Sequence, residues 1–590
     1  MSDELDILIK NAFIIDGTGV PAYNGMVAIK GERIVDVGKV NDDPKWDAKT
    51  VIDSKGLTVT PGFIDVHNHV DLSILYYPKA ESFIRQGITS FVGGQCGDSP
   101  GPYGDLIGEP WFLMDLYEDV RPRMFRNDWQ IPKDLINARH KEIYGWEIDW
   151  GTMGQFFKRV KETGLTPNYV PLVGHGDIRT LVMGTDYKRK ATKKEIREMK
   201  KHVEQAMQDG CVGISVGRTY IPGNYATFEE ILACAKVTAK YRGIYTSHCL
   251  RTAGPQEEGK EQPPNPIAGV LEAIDVGRKA KMSVQISHLG NQFIVQPPKN
   301  RIMDEASVLA TLKTIDEARK EGINVNFDII PHHNTGGIFT SPWLAGMLNP
   351  WLKMAGSPKH LAEILKMKDL REDIKEKIDA GKLFMLDPKR FPDWAKGAII
   401  KVCKDERFVD KSIAEIADEL CEEPVDALMD VLMADPEAKY AMQRNEEDWI
   451  KLEYYKNTEM MIGCDTFAVD EKTMNRHPPW FLPNQNAFGG MVRYLRRTVR
   501  EAKILTLEEA IRKITCLPAR KHLIKDRGIL KAGAYADIVV MDPTTISDKG
   551  NQLDPRQYPE GIKYVIVNGT IVLKNNKHTC AMPGKILYRE

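Results

Sequence analysis

Two textures divide the chain. Over residues 5–60, apolar and polar positions alternate in short runs, as in Asp6-Ile-Leu-Ile-Lys10, Met26-Val-Ala-Ile-Lys30 and Arg33-Ile-Val-Asp-Val37. This period of two is the signature of half-buried antiparallel strands. The same texture returns at Ala536–Asp542, Tyr564–Gly569 and Thr570–Leu573. Lone hairpins are marginal in water, so the two segments predict one small β-sandwich built from both chain ends, residues 1–60 and 525–590.

Residues 61–524 read differently. Eight short runs read as buried strands: Gly62–His67, Ile88–Gly93, Tyr169–Val173, Val212–Val216, Gly243–Ser247, Met282–Ser287, Asn324–Ile329 and Met460–Cys464. Helical patterns separate most of them, for example over 193–209 and 228–242. Eight such units predict an α/β chain folded as a (β/α)8 TIM barrel. An open doubly wound sheet is the rival, but no Gly-rich phosphate loop follows the first strand. Two segments, about 98–150 and about 335–456, exceed ordinary loop lengths and are expected to lie over the active site.

Composition adds exclusions. Among 590 residues the formal net charge is −1 and no long basic block occurs, which gives no support to nucleic acid or a membrane surface as partner. No apolar run approaches the ~20 residues of a spanning helix. Nine cysteines, odd in number and without paired spacing, read as reduced thiols, and the acidic start Met1-Ser-Asp-Glu lacks a signal pattern. A cytoplasmic protein acting on a small molecule is expected.

The chemistry lies where polar residues end the apolar strands. His67 and His69 follow the first as His-Asn-His, and i, i+2 side chains of an extended chain point the same way. Cys96 closes the second in Gly93-Gly-Gln-Cys-Gly97, and His175 ends the third. His248 ends the fifth, His288 the sixth and Asp465 the eighth. Imidazole, thiolate and carboxylate at convergent strand ends form the ligand set of a divalent first-row metal. With Cys96 as a ligand the set favours Zn2+; a His/carboxylate subset without it would suit Mn2+. Cys96 also fits as small packing beside glycines, and His175 as a residue supporting the ligands or the fold.

These residues resemble the amidohydrolase superfamily and, within it, the D-aminoacylase (N-acyl-D-amino-acid deacylase) branch. The anchors run from Pro61-Gly-Phe-Ile-Asp-Val-His-Asn-His69 through Gln86-Gly-Ile-Thr89, Cys96-Gly97 and Gly174-His-Gly-Asp-Ile-Arg179. They continue with Gly213-Ile-Ser-Val-Gly217, Tyr245-Thr-Ser-His248, Gln285-Ile-Ser-His288, Leu517-Pro-Ala-Arg520 and the tail 526–540. The resemblance implies a tight metal on Cys96, His248 and His288, a second and often weak site at His67 and His69, and Asp465 as general acid/base. A divalent ion lowers the pKa of water to about 7, and Asp465 then accepts the proton. Homo-oligomers are common in the superfamily.

The resemblance weakens at the substrate end. Where the deacylases carry Ser-His-Leu-Lys, this chain has Ser287-His-Leu-Gly290. Tyr-Pro-Tyr becomes Ile330-Pro-His332, Ala-Gly-Ser is matched by Gly336-Gly337, and His-Pro-Arg becomes His477-Pro-Pro479. The replaced lysine, tyrosine, serine and arginine would grip a substrate carboxylate, and a buried carboxylate without charge-assisted partners is costly. His175, Arg251, Arg218 and His477 are the candidate substrate-binding residues. The losses point instead to hydrolytic ring opening of a cyclic 1,3-diketone, as in dihydrophloroglucinol cyclohydrolase, with His332 and His333 as proton donors to the departing enolate. Deacylation with a rewired carboxylate site is the alternative. A catalytically dead scaffold is the third reading, and the intact ligand set argues against it.

Overall fold

A computed structural model describes residues 4–38, 47–108, 130–250, 266–289, 301–332, 343–380, 393–442, 449–470 and 484–589. Eight parallel strands form the central sheet. They are β1 (Phe63–Asp65), β2 (Ile88–Gly93), β3 (Asn168–Gly174) and β4 (Gly213–Gly217), then β5 (Ile244–His248), β6 (Ser283–Ile286), β7 (Val325–Ile329) and β8 (Met460–Ile462). Each pairs with its neighbours in chain order. Across the remaining seam, Val66 N donates to Ile462 O at 3.3 Å and Asp465 N to His67 O at 2.7 Å. The sheet is a nearly closed barrel, and its strands are buried almost throughout. Both faces of each strand are therefore covered, which is why a run such as Tyr169–Val173 is apolar throughout. The helices Lys193–Asp209 and Phe228–Lys240 open on Thr192 and Thr227, whose hydroxyls accept the Glu195 and Glu230 N–H groups.

The strands expected at the two chain ends share one nine-stranded sheet. Ile538–Met541 pairs antiparallel with Thr58–Pro61, and Ile7, Ile9, Val27, Ile29, Val59, Ile538 and Ile566 supply its core. The alternation predicted antiparallel pairing throughout, but Leu5–Ile14 runs parallel to Ala48–Asp53 and, further along, to Thr58–Pro61. Alternation reports which face is buried and is silent on strand direction.

Between β7 and β8, residues 343–380 and 393–442 gather a separate apolar cluster that includes Leu348, Trp351, Leu361, Ile374, Ile416 and Leu428. An antiparallel pair of strands, Ala398–Val402 and Lys439–Met442, completes it. Among the described residues no helix is long and apolar enough to cross a membrane.

Candidate metal centre

The barrel brings six of the residues singled out at strand ends to one place. Cys96 Sγ lies 3.3 Å from His67 Nε2, 3.5 Å from His248 Nδ1 and 3.5 Å from His288 Nε2. Asp465 Oδ1 lies 3.5 Å from His67 Nε2 and 3.3 Å from His69 Nε2. Two overlapping donor groups result: His67, His69, Cys96 and Asp465, and Cys96, His248 and His288. Cys96 belongs to both.

The spacing fits metal ions. Zinc bonds of about 2.3 Å to sulfur and about 2.0–2.1 Å to nitrogen, set tetrahedrally, put the two donors about 3.6 Å apart. The sulfur–nitrogen distances here lie close to that edge. His67, His248, His288 and Cys96 are buried, so an ion there would be shielded from water on those sides.

The local backbone is bent to make this convergence. Cys96, His288 and Asp465 have φ of 57°, 39° and 48°, in the left-handed region that L-residues adopt at a cost of about 1–3 kcal/mol each. A Cβ on Gly97 would come within 2.6 Å of Gly217 N, and one on Gly217 within 2.0 Å of Cys96 O. Only glycine permits the two loops to touch. Gln95 ties the same loop down, donating to Val66 O at 2.7 Å and accepting from Thr246 Oγ1 at 3.1 Å.

Carboxylates surround the donors. Asp328 escaped the sequence reading. Its Oδ2 accepts from His288 N at 2.8 Å and lies 3.7 Å from His67 Nδ1, while its Oδ1 accepts from Gln285 Nε2 at 2.8 Å. The available signal was an acid inside a buried strand. Asp65 Oδ1 accepts from His67 N and Cys464 N, and burial pushes its carboxyl up to about 7. Burial likewise raises Asp71 and Asp98, which flank His69, to about 7. Asp465 goes the other way. Burial opposes its charge, but hydrogen bonds with His67 and His69 outweigh it and hold the carboxyl well below the usual range.

Other candidates turn elsewhere. His332, expected as a proton donor, has its Nε2 3.8 Å from Asp548 Oδ2 and its backbone N–H on Asn486 Oδ1; burial, with Arg493 nearby, depresses its basicity strongly. An imidazole so placed is a poor proton donor, and no donor group above includes it. Arg218, a candidate carboxylate binder, makes a bidentate pair with Glu272 at 2.7 and 3.1 Å and donates to Gly223 O and Ala226 O. His175 Nε2 lies 3.0 Å from Glu230, which also holds Arg179 at 2.9 Å, so its ring faces an internal ion pair. Arg251, His333 and His477 lie outside the described residues.

The amidohydrolase family model matches residues 50–142 and 410–573. An N-acyl-D-glutamate deacylase of Alcaligenes xylosoxydans xylosoxydans is 29% identical over 597 residues, covering 100% of this chain and 98% of the relative. A D-aminoacylase of the same organism is 27% identical, again covering 100% and 98%. In structure, the chain is similar to the N-acyl-D-glutamate deacylase of Bordetella bronchiseptica, solved with zinc and a phosphonate mimic of the tetrahedral intermediate. The TM-score is 0.70 and the identity 26%, over 99% of this chain and 100% of that one. Full-length kinship and a convergent donor set agree: this chain carries an amidohydrolase-family domain of the D-aminoacylase-like branch, and the protein is a metal-dependent hydrolase.

Proposed function

We propose that this protein hydrolyses the amide bond of an N-acyl-D-amino acid, with zinc at the strand-end centre. The observation that carries the reading is the end-to-end similarity to deacylases of that substrate class. The Cys96 thiolate favours Zn2+, and nothing in the comparisons favours Mn2+.

Cys96, His248 and His288 are the proposed holders of one ion, with His67 and His69 joining Cys96 at a second. When bound, the metal supplies Lewis acidity, which makes water acidic enough to ionise near neutrality and polarises the scissile carbonyl. Asp465, kept ionised beside His67 and His69, accepts the proton of the attacking water and returns it to the departing nitrogen. Asp328 orients this apparatus by holding the His288 backbone and facing the far nitrogen of His67.

The ring-opening reading gains nothing from the comparisons, whose named activities are deacylations. What still favours it is the replacement of the carboxylate-gripping residues at Gly290, His332, Gly336-Gly337 and Pro479. Incubating zinc-loaded protein with a panel of N-acetyl-D-amino acids tests the proposal: free amine is expected. No amine from any member, together with an oxo-acid from dihydrophloroglucinol, would overturn it.

A further inference from the structure

Thr219 stands next to the centre, outside both donor groups. Thr219 Oγ1 lies 2.5 Å from His248 Nε2, on the side of the ring away from the cluster. The other nitrogen, Nδ1, is the one 3.5 Å from Cys96 Sγ. Tyr220 packs on the same imidazole, with ring centroids 4.4 Å apart and planes inclined by 54°.

The segment bearing Thr219 is anchored from both sides. Arg218 N donates to His248 O at 2.9 Å, which ties this loop to the histidine it serves. The Arg218 guanidinium grips Glu272 and the carbonyls of Gly223 and Ala226, closing residues 218–226 around a buried cation. The arginine expected to bind substrate thus holds its own loop, and the next residue along meets the imidazole.

We infer that Thr219 is a positioning residue for the metal centre: its hydroxyl accepts the Nε2 hydrogen of His248 and so turns the Nδ1 lone pair towards the ion. A neutral imidazole carries one ring hydrogen, so an acceptor at Nε2 selects the tautomer that leaves Nδ1 free to ligate. Partners of this kind fix ring orientation and typically alter metal affinity about 10- to 100-fold when removed. Valine keeps the shape of threonine without the acceptor, and serine keeps the acceptor.

The inference rests on His248 being a ligand, so the test includes that residue. Zinc affinity is measured by chelator competition for the full-length wild type, Thr219→Val, Thr219→Ser and His248→Ala. Absorption spectra of the Co2+-substituted proteins are recorded in parallel. The expected result is zinc binding weakened about 10- to 100-fold in Thr219→Val with an altered Co2+ spectrum. Thr219→Ser should match the wild type in both, and His248→Ala should lose the tightly bound zinc. Wild-type affinity and spectrum in Thr219→Val beside a zinc-deficient His248→Ala would overturn the role of Thr219 alone. Wild-type zinc affinity in His248→Ala would overturn the ligand reading beneath it. Should Thr219→Val not fold, nitrogen-15 histidine spectra of the zinc-loaded wild type decide, because a hydrogen on His248 Nδ1 rather than Nε2 contradicts the inference.

Discussion

The two ends of the barrel bury polar groups to opposite effect. At the N-terminal ends of the strands, the Lys521 ammonium donates to Val284 O at 2.7 Å, Asn324 O at 3.1 Å and Asn324 Oδ1 at 3.2 Å. Its three hydrogens match three acceptors, and burial depresses its basicity strongly. At the C-terminal ends, a ring nitrogen from each of His67, His248 and His288 stands 3.3–3.5 Å from Cys96 Sγ. A saturated buried group acts as a structural plug. A convergent set of lone pairs calls for a cation.

This contrast is breakable by mutation, and the largest effect belongs at the C-terminal end. His288→Ala is expected to abolish tight zinc binding and turnover while the protein stays folded, read by elemental analysis beside circular dichroism. Asp465→Asn should retain zinc yet lower kcat by about 10²- to 10⁴-fold, the range of a missing general base. Retained kcat would remove Asp465 from the chemistry. Lys521→Met sharpens the other side: the folded protein should turn over as before, but stability should fall by about 1–3 kcal/mol because buried carbonyls lose their donor. Denaturant unfolding measures it. Smallest is Ser215→Ala, which deprives the Gly97 N–H of its acceptor at 2.9 Å. A loss of about 1 kcal/mol in the same unfolding experiment is expected.

The barrel was legible because eight short strand-like runs recur with helical patterns between most of them, and some, such as Tyr169–Val173, are apolar throughout, as burial on both faces requires. Strand ends were less so. The run at 460–464 promised five residues of strand, but the ladder stops at Ile462 and the chain turns so that Asp465 enters the site with positive φ. The convergence of the donor side chains was legible because polar residues recur at the same end of separate strands. Asp328 escaped because it sits inside β7 rather than beyond it. His332 shows the opposite limit. Position past a strand says nothing of which way the side chain turns, and this one turns to Asp548, far along the chain. Arg218 was legible as a cation near the site, but not its partner Glu272, brought in by the helix Pro266–Ala280.

The most direct test is a zinc titration of chelated, ion-free protein with turnover of an N-acetyl-D-amino acid followed at each addition. The account predicts no turnover without the ion and activity rising with bound zinc in the wild type, while Cys96→Ala fails to recover at the same concentrations. Full activity in protein shown to be free of metal would contradict it.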